Sequence, residues 1–516
     1  MLDVLLIQPP IQDLYLTARR TVPHGLLCLA AALRQHGLSV QILDALASTR
    51  TRVIEWPASM RHLQPLYGPA DRSPFALFHS YRHFGHSFEH VGNVVRDSDP
   101  LVVGIASLFT PYADMALQVA ETVKRVCPPC HVVLGGHHPT ALPAHVMQHP
   151  AVDFVIRGEG EPALPALVSA LRRGEALDRV PGLVRRRADG TLDVGAACHM
   201  QAIDEFPLPA FDLQPRRYRG GAVVVSSRGC PLRCSYCSTG AASPLPHRRR
   251  SVGSVLEEIA AIVEDGARFV DFEDENLALD RAWLTELLQG VVRLDLPGVE
   301  LRAMNGLLPH TLDHELIRLM RQAGFRTLNL SLGSSDPDQL RRFRRPDERA
   351  AFDRALQAAE TWDMKAVGYV LAAGPGQLAE RSVDDLLYLA ARRVLVGLSI
   401  YYPAPGSEDF ARCAATGLLP DDPMLYRSTA LPVADGTSQL QAATLLRLAR
   451  ILNFLKADDS GQDVTGRAST GHGLLRRFFD DGAICGVSPD GAVFEHVVDR
   501  ALCRRFAAGL REGRVG

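Results

Sequence analysis

The chain has 516 residues, 47% of them hydrophobic and 22% charged, with a formal net charge of -2. That length buries more than one core, so two or three domains are expected, and the near-neutral balance gives no basic field for nucleic acid or an anionic membrane. Ten cysteines in so long a chain do not make a secreted disulfide framework. No stretch approaches the roughly 20 apolar residues of a spanning helix. The N-terminal run Met1-Leu2-Asp3-Val4-Leu5 puts an acid where a secretory signal wants positive charge. A protein of the reducing cytoplasm, with neither nucleic acid nor membrane as partner, is expected.

Residues 1–180 alternate strands and helices. A buried-type strand at residues 4–7 is followed by Leu26, Leu29, Ala30 and Leu33 at helical spacing, with Gly37 as the stop. Further strands are expected at 40–43, 102–105, 132–134 and 154–156, and Met115, Val119, Val123 and Val126 mark another helix. Such alternation implies a parallel sheet covered on both faces, whose ligands sit at the carboxyl ends of the strands. The loops there are Ser107-Leu108-Phe109-Thr110, Gly135-Gly136-His137-His138-Pro139-Thr140 and Arg157-Gly158-Glu159-Gly160-Glu161.

Within this segment the insertion at about residues 51–100 holds His79, His83, His86 and His90. Gly85 and Ser87 interrupt them, so they read as surface or interface histidines rather than metal ligands. Cys127-Pro128-Pro129-Cys130 closes a helix ahead of a strand, with a redox or metal role as its minor reading. Residues 181–220 look irregular and proline-bounded, as a connector does.

A second unit, residues 221–415, opens with a strand at 223–225 that runs into Ser227-Arg228-Gly229-Cys230-Pro231-Leu232-Arg233-Cys234-Ser235-Tyr236-Cys237. Three thiolates on one loop suit one metal centre. A four-iron, four-sulfur cluster takes four thiolates, so Cys230, Cys234 and Cys237 would leave one iron open. Zinc normally pairs two such short elements, and no second half is evident nearby.

The spacing C-x3-C-x2-C resembles the cluster motif of the radical S-adenosylmethionine (SAM) enzymes. That resemblance implies a 4Fe-4S cluster whose open iron is chelated by SAM, and reductive cleavage of SAM to a 5'-deoxyadenosyl radical. Strands expected at 269–272, 299–302, 327–332, 366–371 and 395–400, with helical patterns between most of them, suggest a partial (β/α)6 barrel of TIM type with its site at the strands' carboxyl ends. By the resemblance, Tyr236, Glu273, Asp274, Asn305 and Ser331 are SAM-binding candidates. Arg302 is a further polar position facing SAM or substrate, and Ser334 an alternative to Ser331 for the ribose. In the run Ser331-Leu332-Gly333-Ser334-Ser335 relatives often have a glutamate before the serine, from which this chain departs. Gly374-Pro375-Gly376 and Tyr401-Tyr402-Pro403-Ala404-Pro405-Gly406 match family turns, and the tyrosines either shape a pocket or close the barrel.

The loops of the first unit, with Gln8-Pro9-Pro10 and Pro23-His24-Gly25-Leu26, resemble the cobalamin-binding domain that precedes the barrel in one class of these enzymes. Ser107, Leu108, Thr110, Gly135, Gly136, His138, Gly158 and Glu159 are the cobalamin-binding candidates, the glycines because no side chain then obstructs a flat macrocycle. The Asp-x-His-x-x-Gly signature of an axial histidine is absent, so cobalt is expected to lack that ligand.

Residues 416–516 read as a mostly helical extension, with Leu445, Leu448, Leu452 and Leu455 as core or cap and Cys485 as a structural thiol. The basic runs at 248–250 and 341–345 read as solvated faces. The fold expected is therefore α/β: a Rossmann-like cobalamin-binding domain, a linker, a partial radical SAM barrel and a helical tail. The activity the resemblance implies is C-methylation of an unactivated carbon in a small-molecule substrate, with flavodoxin or ferredoxin as electron donor. No general-base motif is evident, and none of the side chains is assigned a catalytic role. Oxidative cyclisation or rearrangement is the alternative chemistry, and a cobalamin or redox sensor the non-enzymatic one.

Overall fold

In the computed structural model the described residues are 2–14, 22–215, 220–239, 245–428, 435–459 and 468–513. Strands β1 (Leu2–Gln8), β2 (Val40–Asp44), β3 (Pro100–Ala106), β4 (His131–Gly135), β5 (Phe154–Ile156), β6 (Leu183–Arg186) and β7 (Leu192–Val194) form one sheet in the order β7-β6-β5-β4-β3-β1-β2. The five strands from β5 to β2 are parallel. Val4 to Ile7 are almost wholly buried because helices cover both faces: α1 (His24–Gln35) and α3 (Gly160–Arg173) on one, α2 (Ala113–Val126) on the other. All five parallel strands therefore deliver their carboxyl ends to one rim.

Two departures from expectation occur here. The start of the supposed connector pairs as the antiparallel hairpin β6–β7 and extends the sheet past β5, while residues 216–219 lie outside the described residues. In the insertion, His83 is buried and bonds the His86 carbonyl at 3.1 Å, and His86 stacks on His90 at 4.2 Å, so only part of that set is surface. Cys127 and Cys130 are buried and joined as a disulfide.

Six parallel strands build the second unit: β8 (Gly221–Val224), β9 (Phe269–Phe272), β10 (Glu300–Arg302), β11 (Thr327–Gly333), β12 (Lys365–Ala372) and β13 (Leu395–Ile400). They form two three-stranded sheets, β8-β9-β10 and β11-β12-β13, linked by bridges Leu301–Phe325 and Leu307–Leu330 into an open barrel. Alternation sets the two faces. Leu328, Leu330 and Leu332 are fully buried toward the outer helices, whereas Asn329, Ser331, Tyr369 and Asp271 line the lumen with their in-register neighbours. The exposed edge of β13 is closed by helix Gln439–Asp459, where the Asn453 side chain bonds the Val396 N–H at 2.7 Å and its carbonyl at 2.9 Å. Leu445, Leu448 and Leu452 of that helix join the barrel core, as does the buried Cys485.

Candidate active site

The cysteine loop leaves β8, whose residues are all buried, and is held at its root by one carboxylate. Asp274, after β9, accepts from the Ser226 hydroxyl at 2.7 Å, from the Ser226 N–H and from the Ser227 hydroxyl. Glu275 takes the Gly229 N–H at 3.2 Å. Cys230, Cys234 and Cys237 follow as free, half-buried thiols. Burial raises the Cys230 pKa, and the neighbouring Cys237 and Cys234 push it further the same way. Among the described residues no three His, Cys, Asp or Glu side chains gather as they would around a single metal ion. Three thiols that sense one another on one loop would suit a four-iron cluster, one thiolate to each of three irons, better than a single ion, and bound iron would relieve their mutual repulsion.

The loop's outer side is gripped by residues far along the chain. The Ser235 N–H donates to the Phe343 carbonyl at 3.1 Å, and its hydroxyl lies 3.1 Å from the Arg342 carbonyl and 3.0 Å from Asp409. Asp409 also accepts from the Tyr401 hydroxyl at 2.8 Å. Arg345 donates to the Tyr236 hydroxyl at 2.9 Å and to the Ser331 carbonyl at 2.8 Å. The basic run 341–345 is thus not simply a solvated face: Phe343 and Arg345 turn inward. Tyr401 is buried and bonded to Asp409, so it closes the barrel rather than shaping a pocket, while Tyr402 beside it is half-buried.

The residues expected to face SAM divide. Glu273 and Asn305 are exposed at the mouth, with the Asn305 amide donating to the Glu273 carbonyl at 2.9 Å. Ser331 faces the lumen opposite Tyr369. Asp274 is 2% exposed and turned back onto the two serines, so its carboxylate supports the loop instead of the mouth; burial raises its pKa. Ser334 is removed from consideration for the ribose, because its hydroxyl, together with Ser335 and Gln377, is engaged by Asp385.

On the other unit, the loops after β3, β4 and β5 make a shallow cradle. Leu108 and Phe109 are about half exposed, an apolar lip, and the buried Ser107 hydroxyl has no hydrogen-bond partner among the described residues. Gly136 has a φ of 119° and a Cβ there would lie 2.6 Å from the Ser107 carbonyl oxygen. Gly158, at φ 84°, would drive a Cβ to 2.2 Å from the Cys198 carbonyl. Gly135 lies beside Gly136 at the end of β4. The missing side chains of Gly136 and Gly158 make room for the chain's own backbone rather than for a macrocycle, contrary to the reason expected for these glycines, so the orphaned hydroxyl and the apolar lip are what suit a corrin ring or its tail. His138 is engaged elsewhere. Its ring lies 3.1 Å from the Thr110 hydroxyl and 3.3 Å from His145, and burial pushes its pKa down to about 4, so it stays neutral. Glu159 likewise turns away, accepting from the Met200 N–H at 2.6 Å and from Arg248 at 2.8 Å. Arg248, at 8% exposure, is buried, contrary to the solvated face expected of residues 248–250.

Residues 81–168 match the B12 binding domain family and residues 224–387 the Radical SAM superfamily. The chain is a cobalamin-dependent radical SAM enzyme. This enzyme is 26% identical over 342 residues to an uncharacterised methyltransferase of Pyrococcus horikoshii, covering 64% of this chain and 73% of that one. It is 24% identical over 455 residues to the cytidylyl-2-hydroxyethylphosphonate methyltransferase of Streptomyces wedmorensis, covering 80% and 81%. Among solved structures its fold is similar to the radical SAM methyltransferase TsrM of Kitasatospora setae with cobalamin and [4Fe-4S] cluster bound, at a TM-score of 0.63 and 18% identity over 81% of this chain and 75% of that one. The cobalamin-dependent SAM radical enzyme OxsB is similar at 0.65 and 14% over 99% and 75%. Its cofactors are the 4Fe-4S cluster, SAM and cobalamin.

Sequence reasoning about this radical SAM enzyme missed Arg345, Asp409 and the Arg228–Glu161 pair, the last at 2.5 Å between the cysteine loop and the start of α3. None has a local pattern to betray it. The glutamates of Gly158-Glu159-Gly160-Glu161 were the available signal, since two acids beside a ligand loop ask for cations.

Proposed function

We propose that the enzyme methylates an unactivated carbon of a small-molecule substrate, the methyl group coming from SAM by way of cobalamin. The observation that carries this is the meeting of a three-thiol loop and the rim loops proposed to hold cobalamin through a largely buried ion pair, Arg228 with Glu161. When bound, the cluster supplies the electron that cleaves SAM to a 5'-deoxyadenosyl radical, and cobalamin supplies a methyl-transfer centre. In this reading Cys230, Cys234 and Cys237 hold the cluster. Tyr236, Glu273, Asn305 and Ser331 orient SAM, Glu273 by attracting its ammonium group. Ser107, Leu108, Gly135, Gly136 and Gly158 cradle cobalamin, while Thr110, His138, Glu159 and Asp274 act from behind. The working units are residues 1–180 with the β6–β7 hairpin, 221–415 and 416–516. A flavodoxin or ferredoxin of the cytoplasm serves as donor.

The lumen residues Tyr369 and Asn329 bond each other at 3.0 Å, and the Arg302 guanidinium sits 4.2 Å from the Phe269 ring centre, so both polar groups are fixed by packing. Anaerobic reconstitution with iron, sulfide and hydroxocobalamin, then reduction with methyl-labelled SAM, tests the proposal. Deoxyadenosine with label in the cobalamin fraction is expected. Deoxyadenosine with no label there would favour cyclisation or rearrangement, in line with the 28% identity over 267 residues to an anaerobic magnesium-protoporphyrin IX monomethyl ester cyclase of Cereibacter sphaeroides, 43% of whose length is covered.

A further inference from the structure

We propose that the largely buried ion cluster of Glu159, Glu161, Arg228 and Arg248 is a spacer that fixes the cobalamin rim against the cysteine loop, with Arg228 and Glu161 as positioning residues for methyl transfer. The inference rests on the methyl-transfer reading above. Arg228 lies two residues before Cys230 in the short strand Ser227–Arg228, which pairs antiparallel with Arg248–Arg249 so that Arg228 and Arg248 are in register. Glu159 directly follows Gly158 of the cradle, and Glu161 lies in the first turn of α3. The two arginines therefore belong to the radical unit and the two glutamates to the cobalamin unit.

The contacts interlock. Arg228 reaches Glu161 at 2.5 Å and Glu159 at 3.8 Å, while Arg248 holds both oxygens of Glu159 at 2.8 and 3.0 Å and also donates to the Met200 carbonyl. Side-chain exposure is 25% and 8% for Arg228 and Glu161, and 7% and 14% for Arg248 and Glu159. Two cations meet two anions, so the cluster is neutral as a whole but leaves an unpaired buried charge if one member is lost. Apolar packing tolerates sliding, whereas charge-assisted hydrogen bonds to guanidinium are directional and set distance and angle. The loop's other side is fixed to the barrel by Asp409 and Arg345. Cleavage of SAM depends on that barrel side. Transfer through cobalamin depends on the spacing across the ion cluster as well.

The test uses the full reconstituted chain with Arg228→Met, Arg228→Lys and Glu161→Gln. Expected for Arg228→Met and Glu161→Gln is deoxyadenosine formation within about twofold of the parent and a fall of about tenfold or more in labelled methyl reaching cobalamin, as small misplacements between reacting centres produce. Magnetic coupling between the reduced cluster and cob(II)alamin, read by electron paramagnetic resonance, should weaken in both and recover only in part in Arg228→Lys, which keeps the charge but not the planar guanidinium. Parallel loss of both products with unchanged coupling, or no change in either, would overturn the proposal. If Arg228→Met fails to load iron, Glu161→Gln, which lies outside the cysteine loop, decides. If the parent makes deoxyadenosine but transfers no methyl, the methyl-transfer reading falls, and the coupling measurement still judges the spacer.

Discussion

Arg345 ties Tyr236 to Ser331: its guanidinium donates to the Tyr236 hydroxyl at 2.9 Å and to the Ser331 carbonyl at 2.8 Å. One buried cation thereby joins the middle of the cysteine loop to the lumen edge of β11, and its charge also pulls the neighbouring Cys234 thiol downward against the rise that burial causes. Arg345→Met keeps the stem and removes both bonds. We expect a stability loss of about 2 kcal/mol in the metal-free protein, seen in chemical denaturation, and faster loss of iron to a chelator from the reconstituted one. Unchanged iron retention would mean that the cysteines alone define the loop.

Asp274 and Glu273 are adjacent in sequence and opposite in role. The buried Asp274 holds Ser226 and Ser227, and the exposed Glu273 stands beside Asn305 at the mouth. Glu273→Gln should weaken SAM binding about tenfold, the scale of one charge-assisted contact, with little change in melting. Asp274→Asn should instead cost about 2 kcal/mol of stability and leave the SAM dissociation constant nearly unchanged. Calorimetric titration of both variants separates the roles, and equal effects on binding would restore Asp274 to the mouth.

The alternation of strands and helices, the cysteine loop and the rim loops were legible because each is a local pattern of period or spacing. The contacts that arrange them were not. Arg345 and Tyr236 are 109 positions apart, Ser235 and Asp409 are 174 apart, and Arg228 and Glu161 are 67 apart, so no window of sequence contains both partners. Asp274 misled because an acid after a strand reads the same whether it points out or back. The β6–β7 hairpin had a usable signal: Asp189-Gly190 sits between the strands, and the Arg187 N–H bonds the Thr191 carbonyl at 2.8 Å across that turn. Its proline-rich sequel hid it.

Asp385 gives a pH dependence with a definite sign. It is 1% exposed, accepts from Ser334, Ser335 and Gln377, and burial pushes its pKa up to about 6. The folded value lies above the ordinary one, so the fold favours the protonated form. Its stabilising effect is full below the unfolded pKa of about 4 and is lost as pH rises through about 6. Asp385→Asn, which stays neutral, should have a melting temperature that falls less than the parent's between those pH values. Taking the difference between the two proteins cancels other titrating groups. Parallel melting curves would show that Asp385 ionises normally.

Asp13 and Arg427 form another buried join between units, at 2.8 Å with 2% and 7% side-chain exposure. Asp13 follows β1 and also accepts from the Tyr112 hydroxyl, while Arg427 donates to the Pro111 carbonyl at 3.2 Å and lies 5.4 Å from the Tyr112 ring centre. The helical extension thus grips the loop that carries Ser107 and Leu108 at its foot, a few residues from the proposed cobalamin contacts. Arg427→Met strands the Asp13 carboxylate in the interior and should cost about 3 kcal/mol or more, with weaker retention of cobalamin on gel filtration. Adding Asp13→Asn removes the stranded charge, so the double variant should regain much of the stability lost by the single one. Retention should recover with it if the loop follows the charge balance. Recovery of stability without retention would instead show that the Arg427 bond to Pro111 itself holds the cradle in place.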